Sequence, residues 1–109
     1  MQTVICASPA YFDPMGIPLS ADELIDHRCL VYNLIRDFEY WRLVDAQNKL
    51  NRVKIHPFLK ASNGEFLRDA AVAGLGITLM PTFIVYKEIE RGVLVPLLTE
   101  FSIRNGLGE

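Results

Sequence analysis

The chain has 109 residues, half of them apolar, with six phenylalanines, four tyrosines and one tryptophan, enough for one compact core and one domain. Eleven basic against thirteen acidic residues give a formal charge of −2, so no long-range positive field draws in a phosphate backbone, and nucleic-acid binding by this segment itself is not expected. No apolar run reaches the roughly 18 residues of a membrane span.

Met1-Gln2-Thr3 leads directly into the strand-like "TVICA", so the expectation is either a removed signal peptide or a soluble fragment. Ser8-Pro9 then places a helix N-cap before a proline at the first helical position, where its missing N–H costs nothing. That helix should be brief, because Pro14 disfavours a helical Asp13 and Gly16 supplies an end. Ser20 and Glu23 have the S-x-x-E spacing of a capping box, so a second short helix runs to about His27.

"CLVYNLI" is β-rich, and "YWRLVDAQNKLNRVKIHPFLKA" reads as two alternating strands around a polar turn, with Trp41, Leu43, Val53 and Ile55 facing inward. His56-Pro57 marks a strand edge or bulge. In "ASNGEFLRDAAVAGLGITLMP", Ser62 and Glu65 repeat the capping-box spacing. Leu67, Ala70, Ala71 and Gly74 then make a narrow face of small apolar residues that can sit close on a sheet. Gly74 or Gly76 can end this helix in the left-handed conformation, and "ITLM" is a buried strand stopped by Pro81. "FIVYKEIERG" carries one or two helical turns and "VLVPLLTEF" a last strand, while "SIRNGLGE" reads as a frayed tail. The sum is an α/β layer on a mixed open sheet flanked by helices, the hairpin supplying the mixture.

No residue set assembles an active site. His27 fits the end of a short helix, where an imidazolium meets the last carbonyls, and His56 an exposed strand edge. Neither belongs to a metal-binding spacing, so no metal or other cofactor is expected. Ser8 lacks the glycines of a nucleophile elbow, and "GLGI" follows a helix instead of opening one, which excludes a dinucleotide fingerprint. Arg36 reads as a surface arginine beside Trp41 more readily than as a carboxylate anchor. Cys6 and Cys29 lie in apolar runs without metal spacing and read as buried reduced thiols. What remains is the helix start at Ser62-Asn63-Gly64. There a hydroxyl, an amide and exposed backbone N–H groups can hold a carboxylate or sulfate group, a provision beyond what a cap needs.

"ASPAYFDPMGIPLSADELIDHRCLVYN", the tryptophan-bearing hairpin, "SNGEFLRDAAVAGLGITLMP" and "ERGVLVPLLTEF" together resemble the effector-binding domain of LysR-type transcriptional regulators over residues 4 to 101. The resemblance implies that residues 1–109 form a single lobe, the second, of a type 2 periplasmic-binding-protein-like fold, the first lobe and the DNA-binding domain lying outside this chain. It also implies a non-enzymatic, cytoplasmic bacterial protein. Its partners would be a small-molecule effector, a carboxylate or aromatic metabolite held between lobes, and DNA, reached only through a winged helix-turn-helix domain. A homo-oligomer follows, with self-association of the lobe through its first-lobe face or an edge strand. Carried onto these residues, the pocket is Ser62, Asn63 and Gly64, with Pro81, Thr82 and Phe83 at the cleft floor or hinge. Leu43 stands where a phenylalanine is common in the family after Trp-Arg. The other reading of the fold is a lobe of a secreted solute-binding protein, against which the unpaired cysteines stand.

Overall fold

The computed structural model describes residues 2–104. Strand β1 (Thr3–Ala7) leads to α1 (Pro9–Met15), a 3₁₀ helix (Ala21–Asp26) and β2 (Cys29–Tyr32). The hairpin β3 (Tyr40–Val44) and β4 (Leu50–Lys54) follows, then β5 (Pro57–Ala61), α2 (Gly64–Val72) and β6 (Ile77–Pro81). Helix α3 (Thr82–Glu90), β7 (Val95–Leu97) and β8 (Ser102–Ile103) complete it.

Two sheets form, one ordered β5-β2-β6-β1-β7 and the other β4-β3-β8. Strands β5, β2 and β6 run parallel, and β1 is antiparallel to both β6 and β7. The large sheet is therefore mixed, as expected, but for a different reason: the hairpin leaves it and builds the second sheet with β8. Pro57 opens β5 at the sheet's edge, and the pairing with β2 shifts by a residue between Cys29 and Leu30, the irregularity that His56-Pro57 suggested.

Alternation along the central strands sorts their side chains to two cores. On one face Cys6, Leu30 and Met80 meet Leu67, Ala70 and Ala71 of α2 and Val85 of α3. On the other, Ile5, Ala7, Val31, Ile77 and Leu79 meet Tyr11 of α1, Leu24 of the 3₁₀ helix, and Trp41, Leu43, Val53 and Ile55 of the hairpin. Each large side chain so buried contributes about 1.5–3 kcal/mol. Cys6 and Cys29 belong to opposite faces, on strands separated by β6, a separation of about 10 Å that no disulfide spans. Burial pushes both thiols up to about 12, so they stay protonated.

Local chemistry departs from sequence expectation at several caps. Helix α1 continues through Asp13-Pro14 and closes when Gly16 N–H bonds to Phe12 O at 2.8 Å. One proline near the end of a short helix removes only one intrahelical bond, so it does not stop the helix early. Ser8 occupies the N-cap position without capping, and its hydroxyl is buried with no partner. At the 3₁₀ helix neither half of the capping box forms: Glu23 accepts from Leu19 N–H at 3.3 Å and from the Ser20 hydroxyl at 3.4 Å, and not from the N-cap Ser20 N–H. His27 ends that helix, but its imidazole faces Tyr11 instead of the last carbonyls. Tyr11 Oη accepts from Arg28 N–H at 3.1 Å and shares a hydrogen bond with His27 Nδ1, 2.6 Å away, whose direction the imidazole tautomer sets. Of the expected tail, Ser102–Ile103 is a strand on β3, its partner being too remote in sequence to see; Asn105–Glu109 lie outside the described residues.

Candidate functional site

Strands β5, β2 and β6 point the same way and end together at Ala61, Tyr32 and Pro81. Ligands of open α/β sheets collect outside such carboxyl ends. Helix α2 starts three residues past β5 and α3 starts directly after β6, so both N-termini open at this edge. Arg68 keeps the two helices in step, its Nη1 bonding to Ile84 O at 3.5 Å and its Nε lying 3.9 Å from Glu88 Oε2.

Between the two helix starts lies a cavity of about 200 Å³ lined by Tyr32, Gly64, Leu79, Met80, Pro81, Phe83 and Ile84. Its walls are apolar, with the Tyr32 ring at one side. The helix starts approach closely at Gly64, where a Cβ would stand 2.9 Å from Ile84 Cδ1, the movable tip of that side chain. At about 200 Å³ the cavity falls short of the roughly 300–1,000 Å³ that small-molecule sites typically enclose.

Of the six residues singled out from sequence, Gly64, Pro81 and Phe83 meet at this cavity. Ser62 and Asn63 are exposed and stand outside its lining. The cap itself is shifted by one residue from the expected box: Asn63, not Ser62, is the N-cap, its Oδ1 accepting from Phe66 N–H at 3.0 Å. Both residue types cap well, and the S-x-x-E spacing favoured the wrong one. Thr82 points elsewhere, lining an open depression of about 410 Å³ with Gln2, Thr3, Val4, Phe101, Ser102 and Ile103, and its N–H bonds to Gln2 O at 2.9 Å. Sequence reasoning missed Tyr32, Leu79, Met80 and Ile84. Tyr32 was discoverable, since it lies two residues beyond Leu30 on the helix-facing side of β2. Arg36 is exposed in the loop after β2.

Among the described residues no group of histidine, cysteine, aspartate and glutamate is arranged to hold a metal ion, and no helix is long and apolar enough to cross a membrane.

A mixed open sheet flanked by helices in this order is the periplasmic-binding-protein-like arrangement of solved LysR-type regulatory domains. The full-length Vibrio cholerae virulence activator AphB superposes with a TM-score of 0.83 at 30% identity, over 94% of this chain and 35% of that one. The regulatory domain of CrgA from Neisseria meningitidis does so with a TM-score of 0.79 at 36% identity, over 94% of this chain and 52% of that one. In sequence, CrgA of N. meningitidis serogroup C is 41% identical over 96 residues, 88% of this chain and 31% of its own length. The activator TtdR of Escherichia coli K12 is 35% identical over 101 residues, 91% of this chain and 32% of its own. The family model described as the LysR substrate binding domain matches residues 1–108. The chain belongs to that family, and it spans about a third of the length of these curated relatives.

Proposed function

We propose that this chain is the second lobe of the effector domain of a LysR-type transcriptional regulator and forms one wall of the cleft in which a small carboxylate, an aromatic acid among them, is held. The observation that carries the reading is the convergence of two helix N-termini on one apolar cavity. The first N–H groups of a helix have no intrahelical partner. In α2 the cap takes only the Phe66 N–H, leaving those of Gly64 and Glu65. Helix α3 begins after Pro81, which offers no side-chain cap at all. A carboxylate supplies the missing acceptor at the positive ends of both helices, while an aromatic body lies against Tyr32, Met80, Phe83 and Ile84.

The cavity lining offers no carboxylate, imidazole, thiol or amine, which favours binding without catalysis. DNA is read by a helix-turn-helix domain elsewhere in the longer protein, which works in the cytoplasm as a homo-oligomer. The relatives named above are transcriptional regulators, which favours this reading over a lobe of a secreted solute receptor.

Amide NMR titration of the chain with benzoate tests the site. The expected result is a saturable shift concentrated at Gly64, Glu65, Phe83 and Ile84, weak because the second wall is missing. Shifts spread evenly over the surface, or confined to the depression beside Thr82, would remove the cavity from consideration.

A further inference from the structure

We propose that the solvent face of the three-stranded sheet is a docking surface for the phosphate backbone of duplex DNA, centred on a row of arginines running Arg104, Arg42, Arg52. The register builds the row. Arg42 of β3 stands directly opposite Arg52 of β4. The β3–β8 pairing of Leu43 with Ile103 continues one step to Arg104, whose N–H bonds to Arg42 O at 2.9 Å. Three arginines therefore lie side by side on strands about 4.8 Å apart. Trp41, Leu43 and Val53 occupy the inner face, so alternation sends the arginines outward. Lys54 joins them two residues along β4 from Arg52.

Like charges directly opposite each other destabilise a sheet, so folding alone does not favour this row. Its members are held ready for a partner. Arg42 pairs with Asp37 at 3.3 Å, both partly exposed. Arg52 Cζ lies 3.6 Å from the Tyr40 ring centroid, a cation–π contact that steadies the guanidinium at the surface.

The same face is poor in what a protein partner uses. Protein interfaces centre on aromatic or Arg anchors seated in well-packed, desolvated pockets. Here Val44 is buried, Tyr40 is covered by Arg52, and among the described residues of these three strands Leu50 is the one large apolar side chain left exposed. A single small anion on exposed arginines competes poorly with salt, whereas a phosphate backbone engages several of them at once and releases its counterions. The overall charge of −2 conceals this local excess.

The inference rests on reading the chain as part of a regulator held on DNA. In that setting the duplex is already at high effective concentration, and a weak attraction suffices to bias where it runs.

The test is fluorescence anisotropy of a short labelled duplex with the 109-residue chain at about 50 mM and 200 mM salt. Wild type is expected to bind at the lower salt and weaken steeply at the higher. The double variant Arg52→Ser/Arg104→Ser should bind roughly tenfold more weakly, with the salt slope reduced by about 0.9 for each phosphate that is no longer neutralised. Lys87→Ser, on α3, should leave binding unchanged. Circular dichroism checks the fold, and Arg104→Ser alone gives a smaller effect of the same sign if the double variant is unstable. Absence of wild-type binding at the lower salt, or an unaltered double variant, overturns the proposal. Competition by polyglutamate equal to that by DNA also overturns it and points to an acidic protein. None of these outcomes alters the benzoate titration of the cavity, so the two readings fail independently.

Discussion

The C-terminal end of α2 is fully occupied by the protein, and the N-terminal end is not. At the C-terminus Gly74 takes φ +85, its N–H bonds to Ala71 O, and Leu75 N–H bonds to Ala70 O, closing a Schellman motif. Two residues on, Gly76 lies so close to Arg28 O that a Cβ would stand 2.6 Å from it. At the N-terminus Asn63 satisfies one amide, and the nearest neighbour across Gly64 is the tip of the Ile84 side chain, which can move. The two ends, with similar sequence punctuation, thus divide their labour: one is fixed by backbone, the other keeps donors and room available.

Substitutions along the helix can break or sharpen that contrast. The largest effect is expected for Gly76→Ala, which drives a Cβ into backbone and costs about 3 kcal/mol in urea denaturation; an unchanged midpoint would show that β2 yields easily. Gly74→Ala should cost roughly 1–2 kcal/mol, from the left-handed φ and from an Ala10 Cβ 3.1 Å away. Asn63→Ala should cost about 1 kcal/mol through removal of the cap, so its stability loss does not by itself argue against a binding role. Gly64→Ala should change stability by less than about 1 kcal/mol yet weaken benzoate binding, because its methyl group enters the cavity mouth; a fold-stability loss matching that at Gly76 would erase the difference between the two ends. Smallest in stability is Asn63→Asp, which keeps the capping oxygen and suits the helix dipole. Its carboxylate should still repel an anionic ligand, and undiminished benzoate binding in this variant would place the ligand away from α2.

Patterns with short periods were legible in the sequence. Alternation placed Trp41, Leu43, Val53 and Ile55 inside the hairpin, and the small-residue face of α2 identified Leu67, Ala70 and Ala71, all buried. The location of a candidate site at a helix start after a parallel strand was also readable, because it follows from chain direction and capping residues. Partnerships across long sequence separations were not. The hairpin's departure to its own sheet depends on β8, far along the chain, and Ser102–Ile103 has too little pattern to announce itself. The cavity lining escaped for the same reason, since Tyr32, Met80 and Ile84 meet only after two crossovers have formed. Thr82 was grouped with Pro81 and Phe83 by adjacency, but successive residues at a strand-to-helix junction face different ways. The one-residue error in the α2 cap has another origin: Ser62 and Asn63 are both competent, and only backbone geometry chooses.

Strand β1 lies between β6 and β7 inside the large sheet, although it precedes every other described strand in the chain. Its hydrogen-bonding partners are residues 78–81 and 95–97, so Ile5 and Cys6 must wait for those distant segments to be synthesised before either core can close. Non-local pairing of this kind slows folding and leaves a nascent apolar strand unpaired while the intervening segments are translated, the interval in which a chaperone at the ribosome has its longest opportunity to act.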